Sequence, residues 1–471
     1  MSGPPSPTDA RAPSPWRLDA VLRASGGRVV RRGSAERFGR IATDTRTLAV
    51  GDLFVALAGE RHDAHAFAAA AVAAGARGVV AARSVALPPE ADAVVVQVGD
   101  TRRALQDLAA DLRRRVAPRV LALTGSNGKT TTKEMVAAIL EEVAPGRVLK
   151  TQGNLNNLIG VPLTLLGLAG DEAYAVVEMG MNAFGEIRRL TEIADPDVGL
   201  VTNVGPAHLE GLGSVEGVAR AKGELFATMR RDATIVVNAG DPHVRAQAAA
   251  FPGRQVAFGA GTDVTAEAVT CDARGAAAFR LRIAGEVVDV RLRVSGRHNV
   301  TNALAAAAAA WALGVPPDAI AAGLAAAGSV GGRMRVVALP SGVTVVDDSY
   351  NANPASVAAA LLSLADAPAI RRIAVLGDML ELGSASAEQH RAVGALAGTV
   401  GLAALYLHGD FARETAAGAA TGMAADAIHV AASHAAIAGA LAANARRGDW
   451  VLVKGSRGQR MEEVVRLLGA D

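Results

Sequence analysis

The sequence predicts an α/β protein built on mostly parallel sheets, and three observations lead to that prediction. Short, nearly continuous apolar runs recur along the chain, and alanine-rich stretches of helical length separate them. Parallel strands that helices cover on both faces have this composition, because neither face meets water. Glycine makes up 51 of the 471 residues, which fits a chain that turns often between short elements.

The predicted strands can be placed directly from the apolar runs. These runs are VVAA at 79–82, VVVQV at 94–98, VLALTG at 120–125, AVVEMG at 175–180, IVVN at 235–238, TVVDD at 344–348, IAVLGD at 373–378, LYLHGD at 405–410 and WVLVKG at 450–455. The abundance of alanine and an aromatic content of only 3% favour closely packed helices between them. The segment 262–294 alternates instead, which predicts short strands of an inserted β element.

The chain is too long for one ordinary core, and its length alone suggests two to four domains. The order of strand and helix patterns divides it into three. The first runs over 16–115 and ends in the arginine-bearing helix DLAADLRRR. The second runs over 116–332, from a buried strand to the glycine pair Gly331-Gly332. The third takes 333–471. Hinges are then expected near residues 115 and 332, where one domain gives way to the next.

Charge and cysteine content exclude several classes of protein. The 48 basic and 46 acidic residues nearly balance, which argues against a nucleic-acid partner or a polybasic membrane anchor. Cys271 is the only cysteine, so neither an intrachain disulfide nor a cysteine metal cluster can form. The longest apolar block, 303–313, is too short to span a bilayer, and the first fifteen residues read as a loose tail without a signal core. We therefore expect a cytoplasmic protein.

The strongest local signal is TGSNGKTT at 124–131, between a buried strand and the helical stretch KEMVAAILEEV. Glycines at 125 and 128 allow backbone N–H groups to turn towards phosphate oxygens, and the following helix adds its positive end. Lys129 would reach the terminal phosphates and Thr130 would offer its hydroxyl to Mg²⁺. The full P-loop pattern has a further glycine where this chain has Leu123, so the loop is a shortened variant. The alternative is a plain glycine turn capped by threonine.

A phosphate loop needs a carboxylate for its metal ion, and Glu178 ends the apolar run AVVEMG. The carboxyl end of a parallel strand opens onto the ligand crevice of such a sheet, which makes Glu178 a Mg²⁺ candidate. It is otherwise a turn residue. His208, in TNVGPAHLEGLGS at 202–214, is by itself an ordinary loop histidine, and Lys222 is by itself an ordinary solvated helical lysine.

Five segments, taken in order, resemble the Mur ligase family, whose members add amino acids to UDP-N-acetylmuramic acid. The segments are TGSNGKTT, TQGNLNNLIGVPLTLL at 151–166, EMGMNAFGEI at 178–187, TNVGPAHLEGLGS and GRHNVTNALAAAA at 296–308. The resemblance extends over nearly the whole chain after residue 40. It implies a central P-loop parallel-sheet ATPase domain, flanked by a smaller uridine-binding α/β domain and a Rossmann-like C-terminal α/β domain.

The resemblance also implies roles for individual residues. ATP phosphates would be bound by Gly125, Ser126, Asn127, Gly128, Lys129 and Thr130. Adenine would lie near His298, Asn299 and Asn302, while Arg333 would approach the γ-phosphate. Mg²⁺ would be held by Thr130, Glu178, His208 and Lys222, the last matching a lysine that the family carbamylates. Asn156 and Asn157 fall in a motif near nucleotide and substrate. Lys129, Lys222, His208 and Arg333 would be the catalytic set.

The amino-terminal stretch TDTRTLAVGDLFVALAGERHDAHAF at 43–67 resembles the uridine-binding domain of the third- and fourth-step ligases. It implies that Thr45 and Arg46 contact the UDP-linked substrate. The family more often has serine where Thr45 stands, and threonine keeps the hydroxyl. It has glycine where Ala64 stands, which alters the expected turn.

The carboxyl third distinguishes between these two kinds of ligase. The DNPR-type signature of the diamino-acid-adding enzymes is absent from the sequence. VVDDSYNANPASVAAAL at 345–361, VLGDMLELG at 375–383 and VKGSRGQRME at 453–462 instead resemble the fourth-step ligases, which add D-alanyl-D-alanine. Asn351, Lys454 and Arg457 would then contact the dipeptide. Read without the family, the same segments are an Asn/Pro turn before a helix and an ordinary cationic loop.

The resemblance implies an ATP-dependent ligase that extends UDP-N-acetylmuramoyl-tripeptide with D-alanyl-D-alanine through an acyl phosphate. We expect a monomer that binds these small molecules, ATP and Mg²⁺. Two other amide ligases stay open, the diamino-acid-adding enzyme and a folylpolyglutamate synthase, although the stretch 43–67 argues against the latter. A nucleotide-binding regulatory P-loop protein that forms no bond is the third alternative.

Overall fold

A computed structural model of the chain describes residues 16–59, 62–272 and 274–470. These residues form two compact units. The first comprises 16–122, 144–180 and 188–197, and the second comprises 123–143, 181–187 and 198–470. The tail predicted at residues 1–15 lies outside the described part of the chain. The domain boundaries at 115 and 332 stay a prediction.

The elements alternate between strand and helix along most of the chain. Up to residue 258 they are β1 Trp16–Arg17, α1 Leu18–Ser25, β2 Arg28–Arg31, β3 Arg37–Phe38, β4 Ile41–Ala42, β5 Leu53–Val55, α2 Ala68–Ala73, β6 Gly78–Ala81, β7 Val94–Gln97, α3 Thr101–Val116, β8 Arg119–Thr124, α4 Lys129–Val143, β9 Val148–Lys150, α5 Gly160–Leu165, β10 Tyr174–Glu178, α6 Glu186–Ala194, β11 Val198–Val201, α7 Leu209–Leu212, α8 Val215–Thr228, β12 Thr234–Asn238, α9 Pro242–Ala248 and β13 Arg254–Phe258.

The remaining elements contain the β insert and the carboxyl third. They are β14 Thr265–Cys271, β15 Ala276–Ile283, β16 Glu286–Ser295, α10 Asn299–Ala312, α11 Pro317–Ala326, β17 Arg335–Ala338, β18 Thr344–Asp348, α12 Pro354–Ala365, β19 Arg372–Gly377, α13 Ser386–Thr399, β20 Ala404–His408, α14 Ala412–Ala419, β21 Ile428–Val430, α15 His434–Asn444, β22 Trp450–Lys454 and α16 Glu462–Leu467. Each of the nine predicted strand runs coincides with a strand, so that prediction is confirmed.

The first unit contains a five-stranded sheet in the order β2–β7–β6–β5–β4. Its strands pair in parallel except for β2, which runs antiparallel to β7. Every residue of β6 is buried, as expected of a strand covered on both faces. In the same unit, β9 and β10 also pair in parallel.

The second unit contains three groups of paired strands. β11, β12 and β13 pair in parallel, and β14, β15 and β16 form a three-stranded antiparallel sheet, which confirms the predicted β insert at 262–294. The carboxyl third forms a six-stranded sheet in the order β17–β18–β22–β19–β20–β21. Only β17 in this sheet is antiparallel to its neighbour. The predicted α/β class with parallel sheets is confirmed.

Successive residues of β19 enter different cores, which shows that helices cover both faces of the six-stranded sheet. Ala374 and Leu376 belong to one buried cluster, whereas Ile373 and Val375 belong to the other. This arrangement follows from the period-two geometry of a strand and explains why its sequence is continuously apolar. None of the helices among the described residues is long and apolar enough to cross a membrane.

The small residues of the helices allow close packing, as the alanine content predicted. A Cβ atom added to Gly323 of α11 would lie 2.3 Å from the Cα of Ile139 in α4. The facing residues of α10, Ala305 to Ala310, are buried. The backbones therefore approach one another more closely than large side chains would permit.

Candidate functional site

The loop between β8 and α4 has the backbone conformation that a phosphate loop requires. Gly125 has φ of 152° and Gly128 has φ of 79°. A Cβ atom on Gly125 would lie 1.9 Å from the Oγ1 of Thr202, and one on Gly128 would lie 2.2 Å from the Oδ1 of Asn302. Both positions therefore require glycine, and the predicted order of strand, glycine loop and helix is confirmed.

Lys129 is the first residue of α4, and its ammonium group turns back over the loop. Its Nζ donates hydrogen bonds to the carbonyl oxygens of Gly125, at 2.6 Å, and Ser126, at 3.4 Å. Thr130 follows it and is buried. The ammonium group and the helix N-terminus together make this loop a favourable place for phosphate oxygens.

Asn127, at the tip of the loop, is held by three side chains from elsewhere in the second unit. Its backbone N–H donates to the Oδ1 of Asn203 at 2.9 Å, and its carbonyl accepts from the Oγ1 of Thr202 at 2.6 Å. Its side-chain Oδ1 accepts from the Nδ2 of Asn353 at 2.8 Å. The sequence analysis did not single out Asn203 or Asn353. Both lie in polar stretches that directly follow predicted strands, and that position was the available signal.

The three residues predicted near adenine lie at the beginning of α10. The Nδ2 of Asn302 donates to the Oδ1 of Asn299 at 2.8 Å, and the Nδ2 of Asn299 donates to the carbonyl of Ser295 at 2.7 Å. These two hydrogen bonds connect the end of β16 to Asn302, whose side chain lies against Gly128 of the phosphate loop. The pKa of His298 is lowered by burial, and the nearby carboxylate of Asp348 opposes that effect.

Lys222 lies in α8 and is only 2% exposed, so the expectation of a solvated helical charge is wrong for this residue. Burial, and secondarily the charge of Lys129, hold its pKa well below the ordinary value for lysine. Within residues 16–59, 62–272 and 274–470, no hydrogen bond or ion pair engages its ammonium group. A buried lysine without an anionic partner favours the neutral amine, which is the form that reacts with CO₂ to give a carbamate.

In the first unit, the structure brings Glu178 and Asn156 together. Glu178 is 2% exposed at the end of β10, and its Oε1 accepts from the Nδ2 of Asn156 at 2.9 Å. Its backbone N–H donates to the Oγ1 of Thr151. Asn157 instead makes a local turn, because its Oδ1 accepts from the backbone N–H groups of residues 159 and 160 as α5 begins.

His208 is paired with a residue of the carboxyl third. It has φ of 56°, and its Nδ1 lies 2.6 Å from the Oε2 of Glu381. This close contact with His208 lowers the pKa of Glu381, although partial burial opposes that shift. The sequence analysis did not single out Glu381, although it quoted the segment VLGDMLELG that contains it.

Arg333 and Arg457 both lie against the ring of Tyr350. Their guanidinium carbons are 4.2 Å and 5.7 Å from the ring centroid. The side chain of Arg457 is 65% exposed and forms an ion pair with Glu462. Tyr350 thus connects the arginine predicted near the γ-phosphate to the cationic loop after β22.

The side chain of Lys454 is buried and forms hydrogen bonds with other groups of the protein. Its side chain is 3% exposed, and its Nζ donates to the Oδ2 of Asp348 at 2.6 Å and to the carbonyl of Asn351 at 2.9 Å. Asn351 itself is exposed. Of the two predicted cations for the dipeptide carboxylate, Arg457 is the more accessible to a ligand.

Thr45 and Arg46 lie in the first unit, in the segment between β4 and β5. Thr45 is half-buried, and the Nη2 of Arg46 donates to the Oδ2 of Asp44 at 2.6 Å. The hydrogen bonds from Arg46 lower the pKa of Asp44 to about 2. Arg46 is largely exposed, so its guanidinium remains accessible to an anionic ligand.

No group of three or more histidine, cysteine, aspartate or glutamate side chains could hold a metal ion among the described residues. The donors predicted for Mg²⁺ differ from such a group, because they include a threonine hydroxyl and a lysine. A cavity of about 290 Å³ lies between the β insert and the carboxyl third, next to Cys271, Arg297, Met334 and Trp450. Its lining contains none of the residues predicted for the site.

Two family models match most of the chain beyond residue 122. The model described as the Mur ligase middle domain matches residues 123–310, and the model described as Mur ligase, glutamate ligase domain, matches residues 332–457. The UDP-N-acetylmuramoyl-tripeptide–D-alanyl-D-alanine ligase of Escherichia coli (strain K12) is 42% identical over 434 residues. That similarity covers 91% of this chain and 93% of the E. coli protein.

Solved structures are similar over comparable lengths. A crystal structure of MurF from Acinetobacter baumannii has a TM-score of 0.89 and 34% identity, covering 98% of this chain and 100% of that one. MurF from Thermotoga maritima in complex with ADP has a TM-score of 0.81 and 29% identity, covering 91% of this chain and 96% of that one.

Proposed function

Because the chain belongs to the Mur ligase family, we propose that it is the ATP-dependent ligase that adds D-alanyl-D-alanine to UDP-N-acetylmuramoyl-tripeptide. The product is the UDP-linked pentapeptide used in peptidoglycan synthesis. The observation that carries the proposal is the hydrogen bond between Asn353 and Asn127. It links the carboxyl third, where the resemblance puts the dipeptide, to the tip of the phosphate loop.

In this proposal each of the three domains binds one of the three substrates. Residues 16–115 bind the uridine end of the precursor, 116–332 bind ATP, and 333–471 bind the dipeptide. Thr45, Arg46, Asn156 and Asn157 belong to the precursor site. Closure about residues near 115 and 332 brings the substrates together before chemistry.

The nucleotide is held by the glycine loop, and adenine lies near His298, Asn299 and Asn302. The conformation of Gly125 and Gly128 supports this assignment, because a positive φ at both glycines lets backbone N–H groups of the loop turn towards phosphate oxygens. Lys129 neutralises the terminal phosphates. Arg333 approaches the γ-phosphate, and its contact with Tyr350 orients it.

Mg²⁺ fits the donors that the chain offers. We assign it to Thr130, Glu178, His208 and Lys222, with Lys222 carbamylated. The buried carboxylate of Glu178 and the buried, lowered-pKa amine of Lys222 support this assignment. A carbamate turns Lys222 into an anionic oxygen donor, the type of ligand that Mg²⁺ prefers. When bound, the ion neutralises charge on the phosphates.

The reaction proceeds in two steps. The terminal carboxylate of the tripeptide attacks the γ-phosphorus, forming an acyl phosphate and releasing ADP. The dipeptide amine then attacks the acyl carbon, and the tetrahedral intermediate expels phosphate. Side chains contribute charge neutralisation and positioning, with Lys129 and Arg333 at the phosphates and Asn351 and Arg457 at the dipeptide. Lys454 supports the dipeptide site by holding the carbonyl of Asn351.

The enzyme works as a monomer in the cytoplasm, where ATP and the nucleotide-linked precursor occur, and it needs no nucleic acid or membrane partner. The near balance of acidic and basic residues supports the absence of a nucleic-acid partner or a polybasic membrane anchor.

One assay separates this function from its rivals. ADP release is measured with the UDP-linked tripeptide, comparing D-Ala-D-Ala with single amino acids. Release that depends on D-Ala-D-Ala supports the proposal. Release with a diamino acid and the UDP-linked dipeptide identifies the third-step ligase, and release with glutamate and a folate identifies a folylpolyglutamate synthase. A protein that binds nucleotide but releases no ADP with any amine is a regulatory P-loop protein.

A further inference from the structure

Three loops leave the six-stranded sheet at its carboxyl edge and lie side by side. β18 and β19 both pair in parallel with β22, in a register that places Asp348 and Leu376 opposite Lys454. We call the segments that follow these strands the Asn loop (349–353), the Glu loop (378–383) and the Lys loop (455–458). Because the strands are parallel neighbours, all three loops meet at one edge.

Ser456 of the Lys loop bonds to both of the other loops. Its backbone N–H donates to the carbonyl of Asp378 at 3.0 Å. Its hydroxyl donates to the carbonyl of Ala352 at 3.0 Å and accepts from the backbone N–H of Leu380 at 2.9 Å. The side chain is buried at 3% exposure, so protein groups rather than water satisfy this hydroxyl.

The Ser456 hydroxyl bonds to the backbone of Ala352 and Leu380. Each of these residues comes directly before a residue that contacts the phosphate loop or His208. Ala352 precedes Asn353, whose Nδ2 donates to Asn127 of the phosphate loop. Leu380 precedes Glu381, which pairs with His208. One hydroxyl therefore fixes the backbone immediately before both contacts.

We propose that Ser456 is a positioning residue that sets Asn353 against the phosphate loop and Glu381 against His208 at the same time. Through it the Asn, Glu and Lys loops move as one body, so that Arg457 is aligned for the dipeptide when the other two contacts form. This inference rests on the proposed ligase function.

The test compares Ser456→Ala with Ser433→Ala in the full-length enzyme. Ser433 serves as the control for the loss of a serine hydroxyl, because its hydroxyl accepts a hydrogen bond from the backbone N–H of Ala436 at the N-terminus of α15 and bonds to none of the three loops. We measure kcat, the KM for D-Ala-D-Ala, the Kd for ADP and Tm. Ser456→Ala should raise the dipeptide KM and lower kcat, each by about fivefold or more, because two buried hydrogen bonds are lost. The Kd for ADP should stay within about twofold, because the glycine loop and Lys129 do not contact Ser456.

A double variant tests the coupling. Glu381→Gln combined with Ser456→Ala should cost less than the product of the two single effects, since both act on the same contact. A dipeptide KM in Ser456→Ala equal to that of Ser433→Ala would overturn the inference, as would independent effects in the double variant.

If Ser456→Ala does not fold, Ser456→Cys replaces it, because the thiol keeps the shape but donates and accepts weakly. An unchanged dipeptide KM in the cysteine variant equally overturns the inference. Absence of dipeptide-dependent ADP release in the wild type would instead remove the proposed function.

Discussion

The side-chain amide of Asn353 donates a hydrogen bond of 2.8 Å to the Oδ1 of Asn127, across 226 positions of sequence. Asn127 is the tip of the phosphate loop. Asn353 also caps α12, where its side chain accepts from the backbone N–H of Ser356 in a capping box. Asn353 thus both caps α12 and restrains the phosphate loop through Asn127.

Replacement of Asn353 by serine should separate these two roles. Serine caps a helix about as well as asparagine, but it is too short to reach Asn127. We expect kcat to fall by about fivefold with Tm nearly unchanged. Asn353→Ala loses the cap as well and should cost about 1 kcal/mol of unfolding free energy. Equal kcat in the serine variant and the wild type would argue against a role for the bond in turnover.

Lys129→Ala should abolish ADP release while the protein stays folded. In the proposed site, the ammonium group of Lys129 neutralises the terminal phosphates, so its loss should remove several kcal/mol of transition-state stabilisation. Lys150→Ala, at the end of β9, serves as a control for the loss of a lysine. Near-normal turnover in Lys129→Ala would refute the assignment of the phosphate site.

Lys222→Ala should be inactive and should recover part of its activity when short carboxylic acids are added, because these would replace the anionic oxygens of the proposed carbamate. Wild-type protein incubated with ¹³C-bicarbonate should show a carbamate carbon by NMR, and Lys222→Ala should not. A chloride salt at matched ionic strength controls for general salt effects. Full activity of Lys222→Ala without added acid would exclude this residue from the site.

The lowered pKa of Lys222 also predicts the pH dependence of stability. Between the folded pKa and the unfolded value of 10.5, the folded state binds fewer protons than the unfolded chain. The burial cost is therefore largest at low pH and fades as the pH rises towards the unfolded value. In CO₂-depleted buffer, Lys222→Met should raise Tm by a few degrees more at about pH 6 than at about pH 9. The opposite trend would show that the lysine is stabilised as a cation.

Replacing Lys454 should mainly lower the stability of the protein, whereas replacing Arg457 should mainly weaken the use of the dipeptide. Lys454→Ala leaves the carboxylate of Asp348 without its cationic partner and should lower the unfolding free energy by about 3 kcal/mol. Arg457→Ala removes an exposed side chain and should change stability by less than about 0.5 kcal/mol. It should nevertheless raise the KM for D-Ala-D-Ala. An unchanged KM in the Arg457 variant would show that another group binds the carboxylate of the dipeptide.

The burial of side chains was the feature that sequence patterns predicted least well. Lys222 stands in a helix whose pattern is ordinary, and only the packing of α8 shows that its amine lies away from water. Asn157 belongs to a motif associated with substrate, yet its side chain is used in the turn that begins α5. The burial of Lys222 is not reported by local spacing, because it depends on which elements pack against the side chain. Residue type alone likewise does not distinguish an asparagine that binds a ligand from one that begins a helix.

The sequence by itself determined the α/β class, the strand positions, the β insert and the glycine loop after β8. Those features are local, since apolar periodicity and the need for glycine at positive φ act within a few residues. The tertiary structure alone decided that Glu381 faces His208, that Asp348 engages Lys454, and that Ser456 joins three loops. These pairings join residues far apart in the chain. The contacts of Lys454 and Ser456 form where parallel strands bring their carboxyl ends to one edge of the six-stranded sheet, and the contact between Glu381 and His208 forms where the segment after β19 meets the segment after β11.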